Sequence, residues 1–162
     1  MALVFDQEDV LQLVGFHVGP KLFGADILKV REILRDPKIE TGIQAPQFVE
    51  GLIHLRGEML PVVDLGRILG LPRDMDKTGD RVWVLVGQLG EKSIGYLIDE
   101  VTPIIRTNID AVFPAPDIIL SGVRSKYING VCETERGLLV VVDLDQILLE
   151  DEVKAIGRMN FS

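Results

Sequence analysis

Two stretches of this chain recur in the same order, and that constrains its fold more than any other feature. Gly19-Pro-Lys-Leu-Phe-Gly-Ala-Asp-Ile-Leu-Lys-Val30 aligns with Gly90-Glu-Lys-Ser-Ile-Gly-Tyr-Leu-Ile-Asp-Glu-Val101 at an offset of 71. Gly19/Gly90, Lys21/Lys92, Gly24/Gly95, Ile27/Ile98 and Val30/Val101 are identical. Further on, Val49 to Gly70 aligns with Ile128 to Leu149 at an offset of 79. There Gly51/Gly130 and the shared Val-Val-Asp-Leu-x-x-Ile-Leu coincide. The growth of the offset fits an insertion such as the Phe113-Pro-Ala-Pro116 loop. The chain therefore reads as two structural copies, 10–80 and 81–150, within a single unit spanning 1–162.

Each copy reads mainly as short strands. Val10 to Val18 and Arg81 to Gln88 are rich in β-branched and aromatic residues and bounded by glycine. Lys21 to Leu34 and Lys92 to Ile105 each carry an internal glycine, which permits the bend that closes a small barrel. Arg56-Gly57-Glu58 reads as a hairpin turn between Gly51–Leu55 and Met59–Val63. Asp64 and Asp143 stand where helix N-caps belong, and Gln146 follows Asp143 at capping-box spacing. Leu144, Ile147 and Leu148 form an apolar stripe that Val153 and Ile156 extend, so a C-terminal helix is expected over 143–160. The expected class is all-β with short helices: two five-stranded β-barrels. A copy of about 70 residues holds little core alone, so the two are expected to share one. A seam between barrels also makes a groove.

Composition excludes several functions. With 25 acidic against 17 basic residues, the net charge is −8 and the pI about 4.7. That charge lacks the basic footprint of a nucleic-acid binder and suits anionic lipid no better. No apolar run is long enough for a membrane span, no secretory leader is evident, and Cys132 is the only cysteine. The expectation is a soluble cytoplasmic protein. The chemistry-bearing residues do not cluster. His17 and His54 are the only histidines and read as strand residues, and neither a metal site nor a cofactor is expected. Cys132 reads as a buried thiol. Asp64 and Asp143 correspond under the repeat, but capping explains both. The sequence thus reads as a binding module and not as an enzyme.

One resemblance is specific. Gly51-Leu-Ile-His-Leu-Arg-Gly-Glu-Met-Leu-Pro-Val-Val-Asp-Leu65 looks like the signature of the CheW chemotaxis coupling family, with His54 where that family most often has Asn. Phe23-Gly-Ala-Asp-Ile-Leu-Lys-Val-Arg-Glu-Ile33, Phe113-Pro-Ala-Pro116, Tyr127-Ile-Asn-Gly130 and Val141-Val-Asp-Leu144 resemble its other segments. The match spans residues 10–150. It implies two SH3-like barrels around a common core. It also implies a non-enzymatic adaptor that links the histidine kinase CheA, through its regulatory domain, to the cytoplasmic hairpin tip of chemoreceptors in membrane-associated arrays. Carried over residue by residue, Glu32 and Arg56 match the receptor-binding surface, with Val30, Ile33 and Gly51 as neighbours. Gly95, Val101 and Ile104 match the second-half wall of the groove. The resemblance gives no residue-level kinase-binding surface.

The residues themselves suggest that Glu32 and Arg56 pair across strands at the groove rim. An exposed pair adds little stability, so its use is in orientation and partner choice. Under the repeat Glu32 maps to Pro103 and Arg56 to Glu135, so the second copy lacks the pair. A one-residue slip could instead align Arg136-Gly137 with Arg56-Gly57. Two other functions stay open: a related adaptor in a non-chemotaxis pathway such as surface motility or second-messenger control, and a small barrel enzyme or ligand-binding protein. A CheV-type chain with an added receiver domain is not expected at this length.

Overall fold

The structure, a computed structural model, describes residues 10–42, 44–71, 81–116 and 125–159. The first copy supplies β1 (Val10–Val18), β2 (Lys21–Asp26), β3 (Val30–Arg35), β4 (Val49–Leu55), β5 (Glu58–Asp64) and the short helix α1 (Leu65–Leu69). The second supplies β6 (Trp83–Leu89), β7 (Lys92–Ile98), β8 (Glu100–Val101), β9 (Ile105–Asn108), β10 (Ile128–Thr134), β11 (Gly137–Val142) and α2 (Glu150–Gly157).

The sheets do not follow the boundary between the copies. One sheet runs β3-β6-β7-β5-β4, and the other β10-β11-β2-β1-β8, with β9 also on β1. Each sheet thus takes its β1–β2 or β6–β7 hairpin from one copy and its other strands from the other. The sequence boundary near residue 80 separates two repeats, whereas the three-dimensional boundary exchanges their hairpins. The six-stranded count of the second sheet has a simple origin. β8 and β9 both lie antiparallel to β1 and occupy the place that β3 takes on β6, divided at Thr102–Ile104. Both sheets carry a parallel pair, β5 with β7 and β11 with β2.

This exchange explains the aliphatic runs. Residues alternate between two buried faces along one strand. Val84 and Val86 face the interior of the β3–β7 barrel, while Leu85 between them faces the shared core. In β11, Val141 faces its own barrel while Val140 and Val142 face the shared core. That shared core also holds Phe16 and Phe23 from one sheet, Ile94 and Tyr96 from the other, and Leu65, Leu144, Ile147 and Ile156 from the helical segments. Tyr96 donates its hydroxyl to the Leu144 carbonyl at 3.0 Å, and burial raises its pKa.

The matching glycines answer to packing. After each long connection the chain makes one isolated bridge, Glu40 to Leu52 and Phe113 to Val131. A Cβ on Gly51 would lie 2.3 Å from the Glu40 carbonyl oxygen, and one on Gly130 would lie 2.5 Å from that of Phe113. Both glycines also sit at a bulge.

Asp64 and Asp143 are N-caps, accepting from Arg67 N at 3.3 Å and Asp145 N at 3.0 Å. The expected continuous helix over 143–160 is divided. A 3-10 turn, Leu144–Gln146, follows Asp143, and α2 starts anew at Glu150. Leu149 is extended (φ −69°, ψ 155°), and its N–H donates to the Glu152 carboxylate at 2.8 Å. A fresh N-terminus satisfied by Glu152 therefore replaces the Gln146 capping box.

Candidate functional site

A depression of about 290 Å³ lies on the β3–β7 barrel, lined by Arg31, Glu32, Leu55, Arg56, Glu58, Val86 and Ser93. Its floor and rim come from three elements. The β4–β5 hairpin turns through Arg56 (φ 47°) and Gly57 (φ 82°), with Leu55 opposite Glu58. Two consecutive left-handed residues make a tight two-residue turn whose twist suits the flanking strands. Arginine tolerates that conformation less readily than asparagine or glycine. The turn places the Arg56 side chain over β3.

There Arg56 meets Glu32 in a bidentate pair. Arg56 Nη1 donates to Glu32 Oε1 at 3.2 Å and Nη2 to Oε2 at 2.5 Å. The hydrogen bond and then the charge of Glu32 raise the guanidinium's pKa above its ordinary value. Arg56 stays exposed while Glu32 is half-buried. The pair therefore presents a fixed guanidinium plane to solvent, a geometry suited to a planar acceptor.

A β-bulge arranges the other side. On β3, Val30 pairs with Gly87 and Glu32 with Val86, so Arg31 is the extra residue. In a regular strand Arg31 and Glu32 would point to opposite faces. With the bulge both line one depression. Arg31 Nη1 donates to Gln88 Oε1 at 3.0 Å and to Ser93 Oγ.

The remaining sequence candidates fall in three places. Val30 and Ile33 are half-buried on β3 and pack on the shared core, as Val101 does from β8. Gly51 and Gly95 are buried and serve packing, since a Cβ on Gly95 would lie 2.8 Å from Val84 Cγ1. Ile104 is 45% exposed, but it lines a separate depression on the other barrel with Pro103, Glu133, Glu135 and Arg136. That depression is the repeat counterpart of the first. Thr134 pairs with Gly137, so its turn residues are Glu135 and Arg136. The register has no slip: Glu135 stands at the place of Arg56 and Pro103 at that of Glu32. Sequence reading missed Arg31, Gln88 and Ser93, because no glycine or proline marks the bulge.

Other reactive groups lie elsewhere. Cys132 is buried, and desolvation pushes its thiol pKa up. His17 Nδ1 lies 3.9 Å from Glu100 Oε2. His54 is exposed opposite Met59. Among the described residues no cluster of three His, Cys, Asp or Glu could hold a metal, and no helix is long and apolar enough to cross a membrane.

Two barrels with exchanged hairpins and a charge-clamped depression on one of them define a double-barrel scaffold fold. Residues 12–152 match the CheW-like domain, and the chain belongs to that family. It is 27% identical over 154 residues to the chemotaxis protein CheW of Treponema pallidum, covering 94% of this chain and 90% of the relative. It is 33% identical over 144 residues to that of Rhizobium meliloti, covering 89% and 91%. Its fold is similar to that of the scaffolding protein TtCheW from Thermoanaerobacter tengcongensis, with a TM-score of 0.74, 24% identity, and coverage of 88% and 94%.

Proposed function

We propose that this chain is a scaffold of bacterial chemotaxis, coupling chemoreceptors to the histidine kinase CheA without making or breaking bonds itself. The observation that carries the reading is the bidentate Glu32–Arg56 pair over a shallow depression, present on one barrel and replaced by Pro103 and Glu135 on the other. Paired charges at a rim select and orient a partner more than they stabilise a fold. Family membership and relatives named as chemotaxis proteins support the same reading.

In this reading the receptor's helical hairpin docks against β3. The exposed Arg56 fork engages its polar groups, and the half-buried Val30 and Ile33 of β3 border the strip met by the hairpin's own i, i+3 and i+4 apolar anchors. Val101 and Ile104 would belong to a wider footprint reaching the second barrel. The kinase's regulatory domain binds elsewhere on the chain, and many modest contacts add up across an array by multivalency.

A binding experiment tests the site. Arg56→Glu places a carboxylate against Glu32 on an exposed turn, so the fold is expected to persist. Binding to a receptor cytoplasmic fragment is expected to fall by at least tenfold. An unchanged thermal melt together with wild-type binding would remove the site from the account.

A further inference from the structure

Arg31 differs from the ion-paired cations of this acidic chain. Arg56 is paired with Glu32, Arg67 with Glu50, Lys29 with Asp145 and Lys154 with Glu150. Arg31 is exposed and sits in the same depression as Arg56, yet its hydrogen-bond acceptors are the neutral groups Gln88 Oε1 and Ser93 Oγ. Among the described residues no carboxylate pairs with it. Two neutral acceptors on adjacent strands fix the direction of the guanidinium without compensating its charge. Both bind through Nη1, which leaves Nη2 and Nε for another acceptor. The bulge aims the side chain into the depression, where an unbulged strand would turn it away.

We propose that Arg31 is a specificity residue that recognises an acidic side chain on the receptor hairpin, beside the helix face that Arg56 engages. The proposal rests on the docking function given above. The chemistry follows from the donors. A carboxylate meeting a pre-oriented guanidinium forms a short, charge-assisted hydrogen bond without first breaking an ion pair within the chain. Arg56 must share its fork with Glu32, so Arg31 supplies a guanidinium held by neutral groups alone and Arg56 the fixed geometry, with Glu58 the second carboxylate of the depression. The second barrel places no cation at the matching position, and its depression takes Arg106 and Arg136 from other places in the fold. Arg31 maps to Thr102, which is 8% exposed and bonds within the barrel, Oγ1 to the Pro103 carbonyl at 2.9 Å.

The experiment measures binding of the whole chain to a receptor cytoplasmic fragment across a salt series for wild type, Arg31→Gln and Arg56→Glu, with thermal melts as fold controls. Arg31→Gln is expected to bind about tenfold more weakly at low salt and to show a flatter salt dependence, as the loss of one charge-assisted contact requires. Loss of binding in Arg56→Glu with wild-type affinity and salt dependence in Arg31→Gln would overturn this inference and leave the docking function standing. Wild-type binding in both variants, or no binding by the wild type, would overturn both. Arg31→Gln that loses the kinase's regulatory domain while keeping the receptor fragment would also overturn it.

Discussion

Gly51 and Gly130 each lie under a passing carbonyl, and this close approach accounts for their place in both copies; Gly130 also has a φ of 158°. The Glu40 oxygen that a Gly51 Cβ would crowd also accepts from Leu52 N at 2.9 Å, so relief of the clash breaks the bridge that closes the barrel. Gly51→Ala is expected to destabilise the fold by about 1–3 kcal/mol, as overpacking against a held backbone does. Gly130→Ala should cost a similar amount, because Phe113 and Val131 exchange the same two bonds. Denaturant unfolding of both variants checks this. A wild-type midpoint in either would show that the connection yields freely. These glycines were legible in the sequence as a matched pair, although the carbonyl above each was not. The Glu32–Arg56 pair was legible for a different reason: its turn and strand both carry motif residues. Gly51 and Gly95, named there with the same surface, proved to be interior packing positions.

Strands were easier to read than their breaks. The turns at Gly19, Gly57 and Gly90 carry positive φ and announce themselves by composition. The β3 bulge has no such mark, since Arg31 is an ordinary residue whose extra place follows from pairing with β6. The split of the C-terminal helix was equally hidden. Leu149 lies between the two parts of the apolar stripe and carries no helix-breaking side chain, so only its extended backbone and its bond to Glu152 reveal the restart. The caps themselves were visible as Asp64 and Asp143. Asp64→Ala removes the acceptor for Arg67 N and is expected to cost about 1 kcal/mol. Asp64→Asn should recover most of that loss in thermal unfolding. A failure of Asn to recover it would assign the cost to another contact of Asp64.

At the scale of the molecule, duplication and exchange act together. The repeat predicted two barrels and a shared core, but sequence identity does not say which copy closes which sheet. Neither copy contains a complete sheet, because β3, β4 and β5 close on β6 and β7, while β1 and β2 lie in the sheet of β8 to β11. Fragments 1–75 and 76–162 are therefore each expected to lack cooperative folding alone and to regain it when co-expressed. Circular dichroism melts of each fragment and of the mixture would show this. A sharp transition in either fragment by itself would contradict the exchanged topology. The same duplication gives the molecule two related depressions and leaves only one armed with Glu32, Arg56 and Arg31. In the docking function proposed above, this asymmetry lets one barrel serve one partner without the other competing for it.

Kinase activity tests the central claim most directly. CheA autophosphorylation should be measured with a receptor fragment and with either the wild-type chain or folded Arg56→Glu. Stimulation that requires the wild-type chain and falls to the chain-free level with Arg56→Glu is the expected result. Equal stimulation by both proteins, or none by the wild type, would contradict the account.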